Sequence, residues 1–143
     1  MFYCFQDEYK KAGIPLEKPL MTLQEFLLEN TPKIPSFSEQ IIHKTWTIFP
    51  HCMEQTHPEH LKQWMDLFQK LKITINFKSL GCYGQAGVYG YQLQNQETSQ
   101  EIFKKGWGQD TQWQENILSS GFSCHHQFSK YGIQSQHLLE LFT

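Results

Sequence analysis

Four cysteines, Cys4, Cys52, Cys82 and Cys124, are the residues of this 143-residue chain best equipped for chemistry. A thiolate is a nucleophile, one half of a disulfide, and a soft ligand that selects zinc, copper(I) or iron–sulfur clusters. No two of the four stand as Cys-x-x-Cys, so the usual zinc-finger and thioredoxin spacings are missing. The start, MFYCFQDEYKK, has neither a basic leader nor a long apolar stretch, and thiols are therefore expected rather than disulfides. His51 precedes Cys52, and His125 and His126 follow Cys124, which leaves a cysteine nucleophile with a histidine base as one option. No third, orienting residue is identifiable for it. Cys82 lies in KSLGCYGQAGVYGYQLQNQ, and Gly81, Gly84, Gly87 and Gly90 let the backbone come close to whatever that thiol is held against. The same glycines could merely close a tight turn, and the cysteines could be small buried hydrophobes.

The elements that must position these thiols alternate between two periods. QDEYKKAG reads as a short helix closed by Gly13, and Thr22-Leu-Gln-Glu25 is a capping box opening LQEFLLEN. NTPKIPSF is a loop. Lys44 to Phe49 alternates, is rich in β formers and reads as a strand that stops at Pro50, just before Cys52. Thr56-His-Pro-Glu59 is a second capping box, with the proline just inside a helix that places Leu61, Trp64, Met65, Phe68 and Leu71 at helical spacing. ITINF is a second strand, with Cys82 shortly after it. NQETSQEIFKKG is a helix with acids early, lysines late and Gly106 as its stop. NILSSGFS is a third strand-like run closed by Cys124, and SQHLLELF reads as a C-terminal helix.

Strand, helix, strand, helix, strand predicts an α/β fold: a small, mostly parallel sheet flanked by helices. Cys52, Cys82 and Cys124 then share the edge where the strands end, which is where open α/β sheets bind ligands. Trp46, Trp64, Trp107 and Trp113 are expected in the core. Burial is the default for Tyr89 and Tyr91, although either could shield a cluster or supply a hydroxyl. His43, His57, His60 and His137 read as surface or satisfied core histidines. The net charge of −2 and the absence of arginine give no electrostatic case for nucleic acid or an anionic membrane surface. No run approaches the ~20 apolar residues of a membrane span.

FPHCMEQ, LGCYGQAGVYGYQLQNQ and SGFSCHHQ together resemble the cysteine-rich CCG domain of iron–sulfur oxidoreductases. Relatives of that domain occur in the iron–sulfur components of glycolate oxidases and in heterodisulfide reductases. The resemblance is closer to the C-terminal end of the fused FAD and iron–sulfur D-2-hydroxyacid dehydrogenases, and YCFQDEYKK and LQEFL extend it over nearly the whole chain. It implies that residues 1–35 end a preceding CCG-type repeat with its connecting helix, and that residues 36–143 form a CCG-type domain. It implies Cys52, Cys82 and Cys124 as metal ligands, with Gly81, Gly84 and Gly87 lining the cofactor pocket. Cys4 would belong to a different site. Tyr83 stands where a second adjacent cysteine often stands, and Gln127 replaces the last cysteine. That argues against a non-cubane cluster and leaves a [4Fe–4S] cluster on three thiols, its fourth position open or filled by a histidine, with His125 and His126 the nearest candidates and Cys4 a more distant one.

With no Gly-rich dinucleotide fingerprint and no ferredoxin cysteine run, this chain alone is not expected to catalyse. FAD would sit on a partner domain or subunit. The expected role is electron transfer in a flavin-dependent D-2-hydroxyacid dehydrogenase, in the cytoplasm or at the inner face of the membrane through a partner. The rivals are a structural zinc site, a metal-free interaction domain, or a remnant that docks on a flavoprotein.

Overall fold

A computed structural model describes residues 8–18, 20–109 and 115–142. Cys4 and Trp113 therefore lie outside the described residues. The chain folds as expected into an α/β domain whose four strands are all parallel, ordered β2-β1-β3-β4, with helices on the sheet's faces. The strands are β1 (Thr45–Phe49), β2 (Thr74–Phe77), β3 (Ile117–Ser119) and β4 (Ser135–His137). The helices are α1 (Leu23–Glu29), α2 (Glu39–Ile42), α3 (Pro58–Lys70), α4 (Gln96–Gly106) and α5 (Phe122–Lys130). No described helix is long and apolar enough to cross a membrane.

The central strand β1 is buried along four consecutive residues, as a parallel strand covered on both faces must be. Trp46 and Ile48 face one core with Trp64, Leu67 and Phe68 of α3. Phe49 faces a second core with Phe103 of α4, Trp107, and Cys124 and Phe128 of α5. The chain leaves β1 toward β2 on one side, then returns past β1 to β3 on the other. The reversal between β1 and β3 opens a crevice at their carboxyl ends.

Local signals succeed where the partner is local. The Thr22 box forms in full: Thr22 Oγ1 accepts from the Glu25 amide at 3.2 Å, and the Thr22 amide donates to Glu25 Oε2 at 2.7 Å. The Thr56 box does not form, because its hydroxyl donates back to the Met53 carbonyl at 2.8 Å and caps nothing. Helix α4 stops at Gly106, as expected. The chain then continues into a 3-10 turn at Trp107–Gln109, and a Cβ at Gly106 would come 3.1 Å from the Leu80 carbonyl, a tight approach. Cys124 does not close a strand: β3 ends at Ser119, and Cys124 lies in the first turn of α5. The expected C-terminal helix is instead β4 followed by a 3-10 segment, Leu138–Phe142, because Ser135–His137 can pair with the open edge of β3. Tyr89 and Tyr91 are exposed rather than buried.

Helix α3 shifts its apolar stripe from the expected phase, with Leu67 fully buried and Met65 54% exposed. Replacing Leu67 with alanine should therefore cost about 2–5 kcal/mol by leaving a core cavity. Met65→Ala should change stability by no more than about 0.5 kcal/mol. Urea unfolding of the two variants beside the parent chain measures both, and equal losses would refute this packing.

Candidate functional site

The loops that follow β1 and β3 bound the crevice. Pro50 ends β1, and His51 and Cys52 follow before a 3-10 turn at Glu54–Thr56. Cys82 lies in the long loop after β2, four residues beyond Lys78, with Gly81 and Gly84 at φ +84° and +86°. Gly84 is indispensable to that path, because a Cβ there would sit 2.2 Å from the Ser99 carbonyl of α4. Gly87 is also left-handed, with φ +67°. Across the crevice, Gly121 leads into α5 and Cys124. A Cβ on Gly121 would come 2.8 Å from the His51 ring and 3.2 Å from Cys124 Sγ. The first and last cysteine loops therefore touch through a residue that has no side chain.

The three thiols are neighbours. Cys82 is exposed, Cys52 half-buried and Cys124 buried. The Cys52 and Cys82 sulfurs are close enough for each to feel the other's charge, and the Gly84 amide donates to Cys82 Sγ at 3.3 Å. Burial pushes the Cys124 thiol up to about 12, with the Cys52 sulfur beside it adding to the shift. Burial outweighs the helix N-terminus, which by itself would favour a thiolate. Burial and then Cys82 also raise Cys52, and the Met53 amide opposes them. A soft metal would have to displace these protons on binding.

Among the described residues no three His, Cys, Asp or Glu side chains converge closely enough to hold a single metal ion. A cluster spreads its thiolates over its corners and takes amide hydrogen bonds on its sulfurs. The three thiols and the Gly84 amide are groups of that kind.

Tyr83 and Gln127 are both engaged in the core. Tyr83 is buried, stacks on Trp107 at 4.3 Å and donates its hydroxyl to the Pro50 carbonyl at 3.1 Å. Gln127 is buried, accepts from Gln85 Nε2 at 2.6 Å and donates to Ser99 Oγ at 3.4 Å. His125 pairs its Nδ1 with Ser135 Oγ at 2.9 Å, and the His126 ring packs on Tyr91. The histidine against the Cys124 wall is instead His51, whose Nδ1 accepts from the Met53 amide at 3.2 Å.

Sequence reading misses Glu54 and Ser120. Glu54 is buried and binds His51, Ser120 and Trp64. Its only sequence signal is a carboxylate two residues after Cys52, which reads as an ordinary helix-start acid.

Burial also lowers the pKa of His51 and His137, against the pull of nearby carboxylates. A depressed folded value means that unfolding takes up protons. Their contribution is complete above about pH 6.5 and is lost as the pH falls through the depressed values. The urea midpoint should drop below that pH, and His137→Gln should flatten the drop. An unchanged slope would remove His137 from this account. Iodoacetamide at pH 8 should label Cys82 first and Cys124 last in the native, metal-free chain, as read by peptide mass spectrometry.

Comparison with known proteins places this arrangement in context. No protein-family model matches the chain, and no solved structure matches it significantly. Over 89% of its length it is similar to the D-2-hydroxyglutarate dehydrogenase of Haemophilus influenzae, with 32% identity across 144 residues. It is similar over 91% of its length to that of Pseudomonas putida, with 29% identity, and over 89% to that of Escherichia coli, with 32%. The chain spans 13% of the length of each of these relatives, so it is similar to one segment of a D-2-hydroxyglutarate dehydrogenase.

Proposed function

We propose that this chain is the iron–sulfur electron-transfer domain of a flavin-dependent D-2-hydroxyacid dehydrogenase. Residues 36–143 form the cysteine-rich unit, and residues 1–35 form the tail of a preceding one. The observation that carries the reading is the meeting of Cys52, Cys82 and Cys124 in the crevice where the strand order reverses. Cys52, Cys82 and Cys124 hold a [4Fe–4S] cluster, and Gly81, Gly84 and Gly87 shape the turn around it. Such a cluster, when bound, supplies one-electron transfer.

This chain's own residues do the rest. The Gly84 amide stabilises negative charge on sulfur at Cys82. The stacked Tyr83 and Trp107 rings keep water from the inner side. The outer side stays open at Cys82, and the chain that follows carries Val88, 74% exposed, and Leu93, 84% exposed. No charge interrupts Ser79 to Gln96. An uncharged rim with exposed apolar residues suits a protein partner, and the FAD-bearing domain or subunit is the partner this reading requires.

A second reading has its own support. Tyr83 and Gln127 complete a core without any metal, as they would in a domain that serves only to pack against a flavoprotein.

Iron and acid-labile sulfide per chain, measured on protein purified without oxygen, decide between the two. About four of each is expected. Alanine at Cys52, Cys82 or Cys124 should cut both sharply, and alanine at Cys4 should matter much less. No iron or sulfide after anaerobic reconstitution would sink the cluster reading and leave the packing domain.

A further inference from the structure

We propose that Glu54 is the positioning residue of the thiol site, a clasp that sets the distance between the loop carrying Cys52 and the loop carrying Cys124. Glu54 lies two residues after Cys52 and is only 8% exposed. Its Oε2 accepts the His51 amide at 3.1 Å and also the hydroxyl of Ser120, 66 residues along the chain. Its Oε1 accepts the indole N–H of Trp64 in α3 at 3.2 Å. The His51 amide also donates to Ser120 Oγ at 2.8 Å, closing a three-membered network of backbone, hydroxyl and carboxylate. The Ser120 amide in turn donates to the Phe49 carbonyl at 3.4 Å, so the clasp begins where the β1–β3 ladder ends.

Three donors converge on Glu54, and it returns none through its side chain. A carboxylate accepts at both oxygens and so receives all three, which accounts for a buried carboxylate here. An amide in its place would keep a single acceptor oxygen, so either the Trp64 indole or the His51–Ser120 pair would lose its acceptor on Glu54. The clasp is well placed to act on the thiols. Ser120 precedes Gly121, which rests on His51 and Cys124 Sγ, so a shift at Ser120 passes straight to the Cys124 side of the crevice.

Part of the test does not depend on the cluster. In Glu54→Gln, iodoacetamide should modify Cys124 about tenfold faster or more, as expected for local opening after a charge-assisted hydrogen bond is lost. Cys82, already exposed, should keep its rate, and far-UV circular dichroism should be unchanged. Ser120→Ala should shift Cys124 the same way, whereas Glu59→Gln, at an exposed helix position, should not. Iron and sulfide per chain after anaerobic reconstitution should fall in both Glu54→Gln and Ser120→Ala. Wild-type Cys124 protection in both variants overturns the proposal. So does acceleration at all three thiols together with lost circular dichroism, which would make Glu54 a general stabiliser. The iron arm rests on the cluster reading above. If the parent chain takes up no iron, that reading fails, and Cys124 protection alone decides whether Glu54 is a clasp.

Discussion

The pairing of β1 with β3 is the constraint on which everything else depends. It is a short ladder, three residues in register from Thr47↔Ile117 to Phe49↔Ser119. It joins two parts of the chain about seventy residues apart and leaves their following loops side by side. Because the strands run parallel, both loops emerge at the same edge; because the order reverses there, neither is covered by its own crossover helix. The thiols meet as a consequence of topology, and side chains then refine the meeting.

Refinement takes the form of burial matched by hydrogen bonds. On the inner side of the crevice stand Phe49, Tyr83, Trp107 and Phe128, packed edge-to-face or stacked at centroid distances of 4.3 to 5.7 Å. These rings make the surroundings of Cys124 apolar, which is why its proton is held so firmly. Polar groups enter the same layer in pairs or networks, as with the Tyr83 hydroxyl on Pro50 and the Gln85–Gln127 amides. One lapse remains among these four: Gln85 Oε1 has no partner among the described residues.

How much of this is legible in the sequence depends on where each signal resides. β1, β2, the start of β3 and the Thr22 box are written in local alternation and capping, and they appear where the residues predict. The convergence of the three thiols follows from one general rule about parallel sheets. The sequence misleads where a distant partner decides. Ser135-Gln136-His137 has helical neighbours but is captured by the free edge of β3. Cys124 looks like a strand end because the apolar run continues past Gly121, yet the strand can extend only as far as β1 offers a partner. The phase of α3 turns on which side of Trp64 meets the sheet, and periodicity admits both Met65 and Leu67. Glu54 is invisible for the same reason, since two of its donors lie 10 and 66 residues away.

The placement of Tyr83 bears on how this chain can change. A cysteine at that position would remove one ring from the stack with Trp107 and leave the Pro50 carbonyl without its phenolic donor. A cysteine at 127 would likewise take away the acceptor of Gln85 and the donor to Ser99. Neither change is a simple exchange, because each opens a hole in a close-packed layer. A cysteine at either position would require compensating substitutions at Trp107, Gln85 or Ser99 first. The interior thus acts as a ratchet that holds Tyr83 and Gln127 in place.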